Sequence, residues 1–260
     1  MLHSISVLMC VFAVVFFYDA ELRLRYVLYR RGLQERLDFI TYNAPRLFFA
    51  VAKKYLDFRV IIEPSPEDER LPERFLVVCN HQSLLDIPVV FYRFRGKNIR
   101  FVAKKELGSW VPFVSQVLRY QRHCLIDRQA NRIQSMKTID SFAKRAGRNG
   151  WSPAIFPEGT RSRDGEVGTF HAAGVRRILE LAPMPVAAVA IDGGWKVSTL
   201  GSLRKNVRHG RFRLRIVGVY EAPKGKAEIA GVLDAARTSI ISQVERWHRE
   251  AKPSVPGTGR

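Results

Sequence analysis

Between residues 58 and 250 the chain alternates short β-rich runs with longer amphipathic stretches. That alternation constrains the fold more than any other feature. Runs at 58–62, 75–79, 99–103, 124–127, 154–156, 186–191 and 211–220 read as strands, and 87–95, 111–120, 130–148, 172–181 and 227–250 read as helices. Strands separated by helices predict an α/β domain over 57–250, with a mixed, largely parallel sheet flanked by helices. The run VAAVAI at 186–191 is apolar throughout, as a strand covered on both faces would be. A chain of 260 residues is long enough to bury such a core. The Pro-, Gly- and Ser-rich stretch 251–260 predicts a disordered tail. No internal repeat is present.

Residues 1–56 have a different character. The first 18 residues carry no Lys, Arg, Asp or Glu, and Arg23, Arg25, Arg30 and Arg31 follow. A secretory signal does not fit, because no basic segment precedes the apolar run and no small-x-small site follows it. Basic residues after an apolar run point to the cytoplasmic side of a membrane. A second helix is predicted at 44–56, with Asn43 as N-cap, Pro45 in the first turn, and Ala44, Leu47, Phe48, Val51 and Tyr55 on one apolar face. Such a face suits a membrane interface or packing on the domain. Residues 1–56 therefore read as a membrane-attachment module of helices, either spanning or half-inserted.

Composition narrows the partners. The formal charge is +19, from 43 basic and 24 acidic residues. The 47% hydrophobic content excludes a disordered polycation. The surplus sits mainly in 81–150 and 201–260, inside folded-looking segments, and suits a polyanionic partner: lipid, phosphorylated substrate or nucleic acid. No nucleic-acid motif is present. The three cysteines, Cys10, Cys79 and Cys124, include no CxxC pair. Cys79 and Cys124 sit in apolar runs and read as core residues, which makes a disulfide framework or a metal site unexpected.

Four stretches carry chemistry. Asn80-His81-Gln82-Ser83-Leu84-Leu85-Asp86 follows the FLVVC strand and leads into a helix. An Asp five residues after a His can fold back, fix its tautomer and leave the other ring nitrogen as a base. Ser83-x-x-Asp86 is also a capping pattern, so Asp86 can equally serve only the helix start. Phe156-Pro157-Glu158-Gly159-Thr160-Arg161-Ser162 offers a turn with hydroxyl donors, a carboxylate and an Arg suited to a phosphate. There Glu158 can bond a hydroxyl or brace Arg161. Arg128 ends Leu125-Ile126-Asp127-Arg128, and Lys104 follows the strand at 99–103. Taken singly, both read as solvated strand ends. Together these groups can surround one anionic headgroup.

NHQSLLD, LIDR, FPEGTRS and MPVAAVAI occur in that order. On these motifs, over about residues 60–200, the chain resembles the glycerolipid acyltransferase family, whose best-known members are the 1-acyl-sn-glycerol-3-phosphate (lysophosphatidate) acyltransferases. The resemblance implies that His81 is the general base and Asp86 its orienting partner. An acceptor hydroxyl would then attack an acyl thioester directly, with no covalent acyl-enzyme. It places Glu158, Gly159, Thr160 and Arg161 in the acceptor-binding motif, Arg128 at a second arginine site and Lys104 near the acceptor phosphate. It implies no cofactor or metal, an acyl-CoA or acyl-carrier-protein donor, a lysophospholipid acceptor, and a location on the cytoplasmic face of the inner membrane. Departures from the family pattern at His123-Cys124, Phe170-His171 and Ala188 leave the acceptor open between lysophosphatidate and another lysolipid, such as a lyso-ornithine lipid. The rival from another class is a non-enzymatic membrane protein that holds anionic lipid.

Overall fold

The computed structural model describes residues 2–109, 111–127, 129, 131–198, 202 and 206–251, with only the backbone of 2–8 and 10–12. Seven strands form one sheet: β1 (Arg59–Ile62), β2 (Leu76–Cys79), β3 (Ile99–Lys104), β4 (Cys124–Ile126), β5 (Ser152–Ile155), β6 (Val186–Asp192) and β7 (Arg211–Tyr220). Their order is β1-β7-β6-β2-β5-β3-β4. The block β6-β2-β5-β3-β4 is parallel throughout, β7 runs antiparallel to β6, and β1 runs parallel to β7. The predicted mixed, largely parallel α/β sheet is what forms. Because β2 lies between β6 and β5, the loops leaving these three strands meet at one edge. Reactive groups collect at that edge of an open parallel sheet.

Helices cover both faces: α1 (Leu2–Leu28), α2 (Leu33–Leu56), α3 (Asp86–Arg93), α4 (Val114–Tyr120), α5 (Arg132–Asn149), α6 (Ala172–Leu181) and α7 (Gly225–Ala251). Alternation along β2 divides the core. Phe75, Val77 and Cys79 pack with Phe49 of α2 and Phe91 of α3. Leu76 and Val78 pack with Phe142 of α5, Ile178 of α6 and Ile240 of α7. β6 is buried from Val186 to Ile191, as a strand covered on both faces must be. Local signals set the ends of α5: the Asn131 side chain accepts from Gln134 N, and Gly150 closes the helix at φ 63°.

The second helix departs from the expected boundary. It begins at Leu33, so Asn43 is interior and its amide donates to Phe39 O instead of capping. Leu33, Leu37 and Ile40, spaced for one helical face, pack with Leu22 of α1 and Val117 of α4. Pro45 sits inside the helix and forfeits one backbone bond. Two interior faces serve different neighbours. Tyr42, Phe49 and Ala52 enter the domain core, while Ala44, Leu47, Phe48 and Val51 line a cavity of about 390 Å³.

That cavity lies among α1, α2, the start of α3 and the turn before α4, lined by groups such as Val14, Leu84, Leu85 and Phe113. Its far wall is tied to α1. Asp19 Oδ1 accepts from Phe113 N at 2.7 Å and from Gln116 Nε2 at 3.0 Å. Phe113 has φ 65°, a conformation that costs a non-glycine residue about 1–3 kcal/mol and must be held by its surroundings. Burial alone would raise the Asp19 carboxyl. The hydrogen bonds from Phe113 N, Arg23 and Gln116 outweigh it and hold the carboxyl below its ordinary range. Glu21 of α1 and Arg36 of α2 add a two-pronged ion pair at 2.8 and 2.9 Å.

Among the described residues, no helix is long and apolar enough to cross a membrane. α1 nevertheless exposes Met9, Phe16, Phe17, Val27 and Leu28, and α2 exposes Phe39. Cys79 and Cys124 are buried free thiols, and burial pushes the Cys79 thiol well up and that of Cys124 to about 12. Both are core residues, as their apolar runs suggested. The side chain of Cys10 and residues 252–260 lie outside the described residues.

Candidate active site

β2 ends at Cys79, and the next seven residues turn into α3. Asn80 continues the sheet with its side chain, donating to Ile191 O at 2.9 Å and accepting from Ile191 N at 2.8 Å. This fixes the exit of β2 against β6. His81 comes next, half-buried, with Nδ1 2.6 Å from Asp86 Oδ2. Asp86 is the first residue of α3 and is fully buried. Its Oδ2 also accepts from Gln82 N at 2.7 Å and Ser83 N at 2.9 Å, and its Oδ1 accepts from Ser83 Oγ at 3.0 Å. One carboxylate thus holds the histidine ring and the backbone of the turn together, while Leu85 stands at the N-cap of α3 with no side-chain cap bond, so the Ser83-x-x-Asp86 capping pattern does not form as a cap.

A carboxylate on Nδ1 puts the ring proton there and leaves Nε2 as the acceptor. The ring plane is set separately, because the Phe156 ring stacks on His81 with centroids 4.2 Å apart and planes 15° apart. Nε2 makes no hydrogen bond to a described residue. An imidazole held in this way can take a proton from a substrate at Nε2.

The loop after β5 supplies the next wall. Glu158 is buried, and its two oxygens accept backbone N–H groups, Oε1 from His81 at 2.8 Å and Oε2 from Gly168 at 3.0 Å. Burial pushes its carboxyl above the ordinary range, against the pull of those two bonds. Its brace is thus to the backbone of the histidine and not to Arg161. Gly159 takes φ 69°, the left-handed turn that glycine favours. Ser162 N donates to His81 O at 2.7 Å, a second tie between the two loops.

β6 supplies the third wall. The fully buried side chain of Gln82 donates to Gly165 O and Asp192 Oδ1, and accepts from Gly194 N at 3.0 Å and Trp195 N at 3.4 Å. One amide thus bolts together the loops leaving all three central strands. Gly194 is sterically required. A β-carbon there would lie 2.8 Å from Ser83 Oγ and 3.1 Å from Asp86 Oδ1. Neither Gln82 nor Gly194 stands out as functional in the sequence. The available signal was polarity: Gln82 lies in a run of four polar residues directly after an apolar strand.

The remaining candidates surround this centre at different distances. Thr160 and Arg161 are exposed on the FPEGTRS turn, with Arg161 Nη1 donating to Ser198 O at 3.2 Å. Lys104 ends β3, exposed, at the same sheet edge but two strands from β2. No contact joins it to His81 or Arg161. Arg128 lies outside the described residues. Leu84 and Leu85, inside the His81–Asp86 turn, line the apolar cavity, so proton acceptor and cavity share one loop. Among the described residues, no group of three or more His, Cys, Asp or Glu side chains is arranged to hold a metal ion.

The acyltransferase family model matches residues 63–192, which run from the end of β1 to the end of β6 and contain His81, Gln82, Asp86 and Glu158 but not Gly194. The 1-acyl-sn-glycerol-3-phosphate acyltransferase of Haemophilus influenzae is 31% identical over 113 residues, 42% of this chain and 46% of that protein. Its counterpart in Cocos nucifera is 30% identical over 130 residues, 49% of this chain and 41% of that one. The Saccharomyces cerevisiae protein of the same name is 29% identical over 183 residues, 68% and 55% respectively. The matched region spans about half the length of these curated relatives. Among solved structures, the 1-acyl-sn-glycerophosphate (LPA) acyltransferase PlsC from Thermotoga maritima aligns over 98% of this chain and 97% of its own, with a TM-score of 0.67 and 24% identity. At that identity the likeness is one of fold.

Proposed function

Because the chain belongs to the acyltransferase family, we propose that it moves a fatty acyl group from a thioester to the free hydroxyl of 1-acylglycerol-3-phosphate, giving phosphatidate. The observation that carries this reading is the His81–Asp86 pair, whose Nε2 bonds no described residue, on the same loop as Leu84 and Leu85, which line an apolar cavity of about 390 Å³. His81 Nε2 takes the hydroxyl proton as the oxygen attacks the thioester carbonyl. The tetrahedral adduct then expels the thiolate, which recovers the proton from the imidazolium and leaves as thiol. Asp86 holds the tautomer and balances the transient positive charge. No covalent acyl-enzyme is involved, and the reaction needs no cofactor.

The cavity suits a hydrocarbon chain, since it is walled by Leu, Val, Phe and Ala and begins inside the catalytic turn. Arg161, Lys104 and Arg128 are the groups proposed for the acceptor phosphate, with Thr160 as a hydroxyl donor and Gly159 permitting close approach. The donor is acyl-CoA or acyl-carrier protein, both of which carry negative charge toward a +19 chain. The exposed apolar face of α1 and α2, with Arg23, Arg25, Arg30 and Arg31 nearby, is proposed to lie in the interface of the cytoplasmic leaflet.

The test is thiol release by the purified chain from palmitoyl-CoA, with lysophosphatidate and lyso-ornithine lipid as alternative acceptors. Transfer to lysophosphatidate that disappears in His81→Ala, with membrane binding retained, is the expected result. Near wild-type transfer by His81→Ala overturns the mechanism, and preference for the ornithine lipid overturns the acceptor. Arg161→Ala is expected to raise KM for the acceptor more than for the thioester.

A further inference from the structure

Among the described residues the His81 ring is held by two neighbours, the Asp86 carboxylate and the Phe156 ring. Asp86 fixes rotation about the ring through Nδ1. The face of the imidazole lies against Phe156 at 4.2 Å and 15°. Phe156 is itself backed by Phe101, with centroids 5.8 Å apart and planes 16° apart. Phe101 stacks in turn on His123 at 6.1 Å and 3°. The four rings form a nearly parallel row that crosses the neighbouring strands β2, β5, β3 and β4, so Phe156 has little freedom to tilt away from His81.

The electronic consequence follows from charge. A benzene ring presents a negative face. A neutral imidazole gains little from that face electrostatically, but an imidazolium is a delocalised cation held flat against it. The imidazolium exists only once the acceptor hydroxyl has given up its proton. An interaction that strengthens only as the proton moves raises kcat and leaves substrate binding alone.

From this geometry we infer that Phe156 is a positioning residue whose ring electrons stabilise the imidazolium formed on His81 during acyl transfer. The inference rests on the proposed role of His81 as base. It assigns the first residue of FPEGTRS to the histidine ring, beside Glu158 and Ser162, which bond the histidine backbone.

The experiment changes ring electrons with little change of shape. Phe156 is replaced in the full chain by 4-fluoro-, 3,5-difluoro- and pentafluorophenylalanine, and kcat and both KM values are measured on vesicle-bound lysophosphatidate with palmitoyl-CoA. The expected result is a stepwise fall in kcat with fluorine number, reaching about tenfold at pentafluoro, with both KM values within twofold of wild type. Phe156→Leu should match or exceed the largest loss, and Phe156→Tyr should restore most of it. Equal kcat along the fluorine series, or losses carried in KM, overturns the inference. If the unsubstituted protein transfers no acyl group, the reading of His81 as base fails, and the inference falls with it. An active wild type with a flat series defeats the inference alone.

Discussion

Oδ2 of Asp86 lies 2.6 Å from Nδ1 of His81 while accepting the backbone N–H of Gln82 and of Ser83. One oxygen therefore sets both the histidine tautomer and the shape of the loop that carries it. Asp86→Asn can keep one acceptor oxygen at the place of Oδ2, with its NH₂ toward the Ser83 hydroxyl, but it removes the negative charge that balances an imidazolium and strengthens these bonds. Acyl transfer is expected to fall by about 10²–10⁴-fold. Denaturant unfolding should show a loss of about 1–3 kcal/mol as the charge-assisted bonds to the turn become neutral ones. Retention of more than a tenth of wild-type kcat would argue that the carboxylate only closes the helix.

Glu158 separates two roles that the FPEGTRS segment leaves combined. Its oxygens are taken by His81 N and Gly168 N. Glu158→Gln leaves one of those donors facing an NH₂ group, at a cost of about 1–3 kcal/mol. The expected kinetic result is a reduced kcat with acceptor KM nearly unchanged. A rise confined to acceptor KM would instead return the carboxylate to the acceptor site.

Gly194 tests steric fit alone. Its missing β-carbon would meet Ser83 Oγ at 2.8 Å, the Phe212 ring at 2.9 Å and Asp86 Oδ1 at 3.1 Å. Gly194→Ala is expected to cost about 1–3 kcal/mol, as overpacking does, and to lower activity by displacing the turn that carries Asp86. Thermal unfolding and kcat measured on the same preparation check both. A variant with unchanged activity and stability would mean that the turn yields freely.

His123 gives the pH dependence. Burial first, and Arg100 second, hold this histidine well below its ordinary value of 6.5. Its Nδ1 accepts from Phe101 N at 2.8 Å, which requires the neutral ring. The folded pKa is lowered, so the unfolded chain binds the extra proton. Stability is complete above about pH 6.5 and is lost as pH falls, by up to about 1.4 kcal/mol per unit. Urea unfolding from pH 7 to pH 5 should show this slope. His123→Gln should reduce it by about one proton, even if the variant is less stable at neutral pH. Equal slopes would place the protonation elsewhere.

Much of this architecture was legible in the chain, and the reasons differ from element to element. β6 announces itself because a strand buried on both faces needs an unbroken apolar run. His81 and Asp86 are readable because their partnership is local, five residues apart across one turn. The start of α2 was misread because Asn43 and Pro45 carry strong cap preferences, and packing of Leu33, Leu37 and Ile40 on α1 and α4 overrides them. Gln82 and Gly194 were not legible as parts of one site. Their relation depends on β6 lying beside β2, and strand order is a property of the whole sheet. Glu158 was visible as a lone carboxylate, but its partners are main-chain groups, which no side-chain pattern encodes.

The bond from Asp19 to Phe113 N carries a mechanical consequence. Asp19 belongs to the helix whose outer side bears Phe16 and Phe17, and Phe113 forms part of the cavity wall. On the proposed seating of α1 at a lipid surface, any depth the helix took would be passed to that wall through the short bonds that Asp19 Oδ1 accepts from Phe113 N and Gln116. Seated in that way, the chain would act less like a buoy on a tether than like a gauge, with the distance from lipid surface to imidazole set by rigid parts.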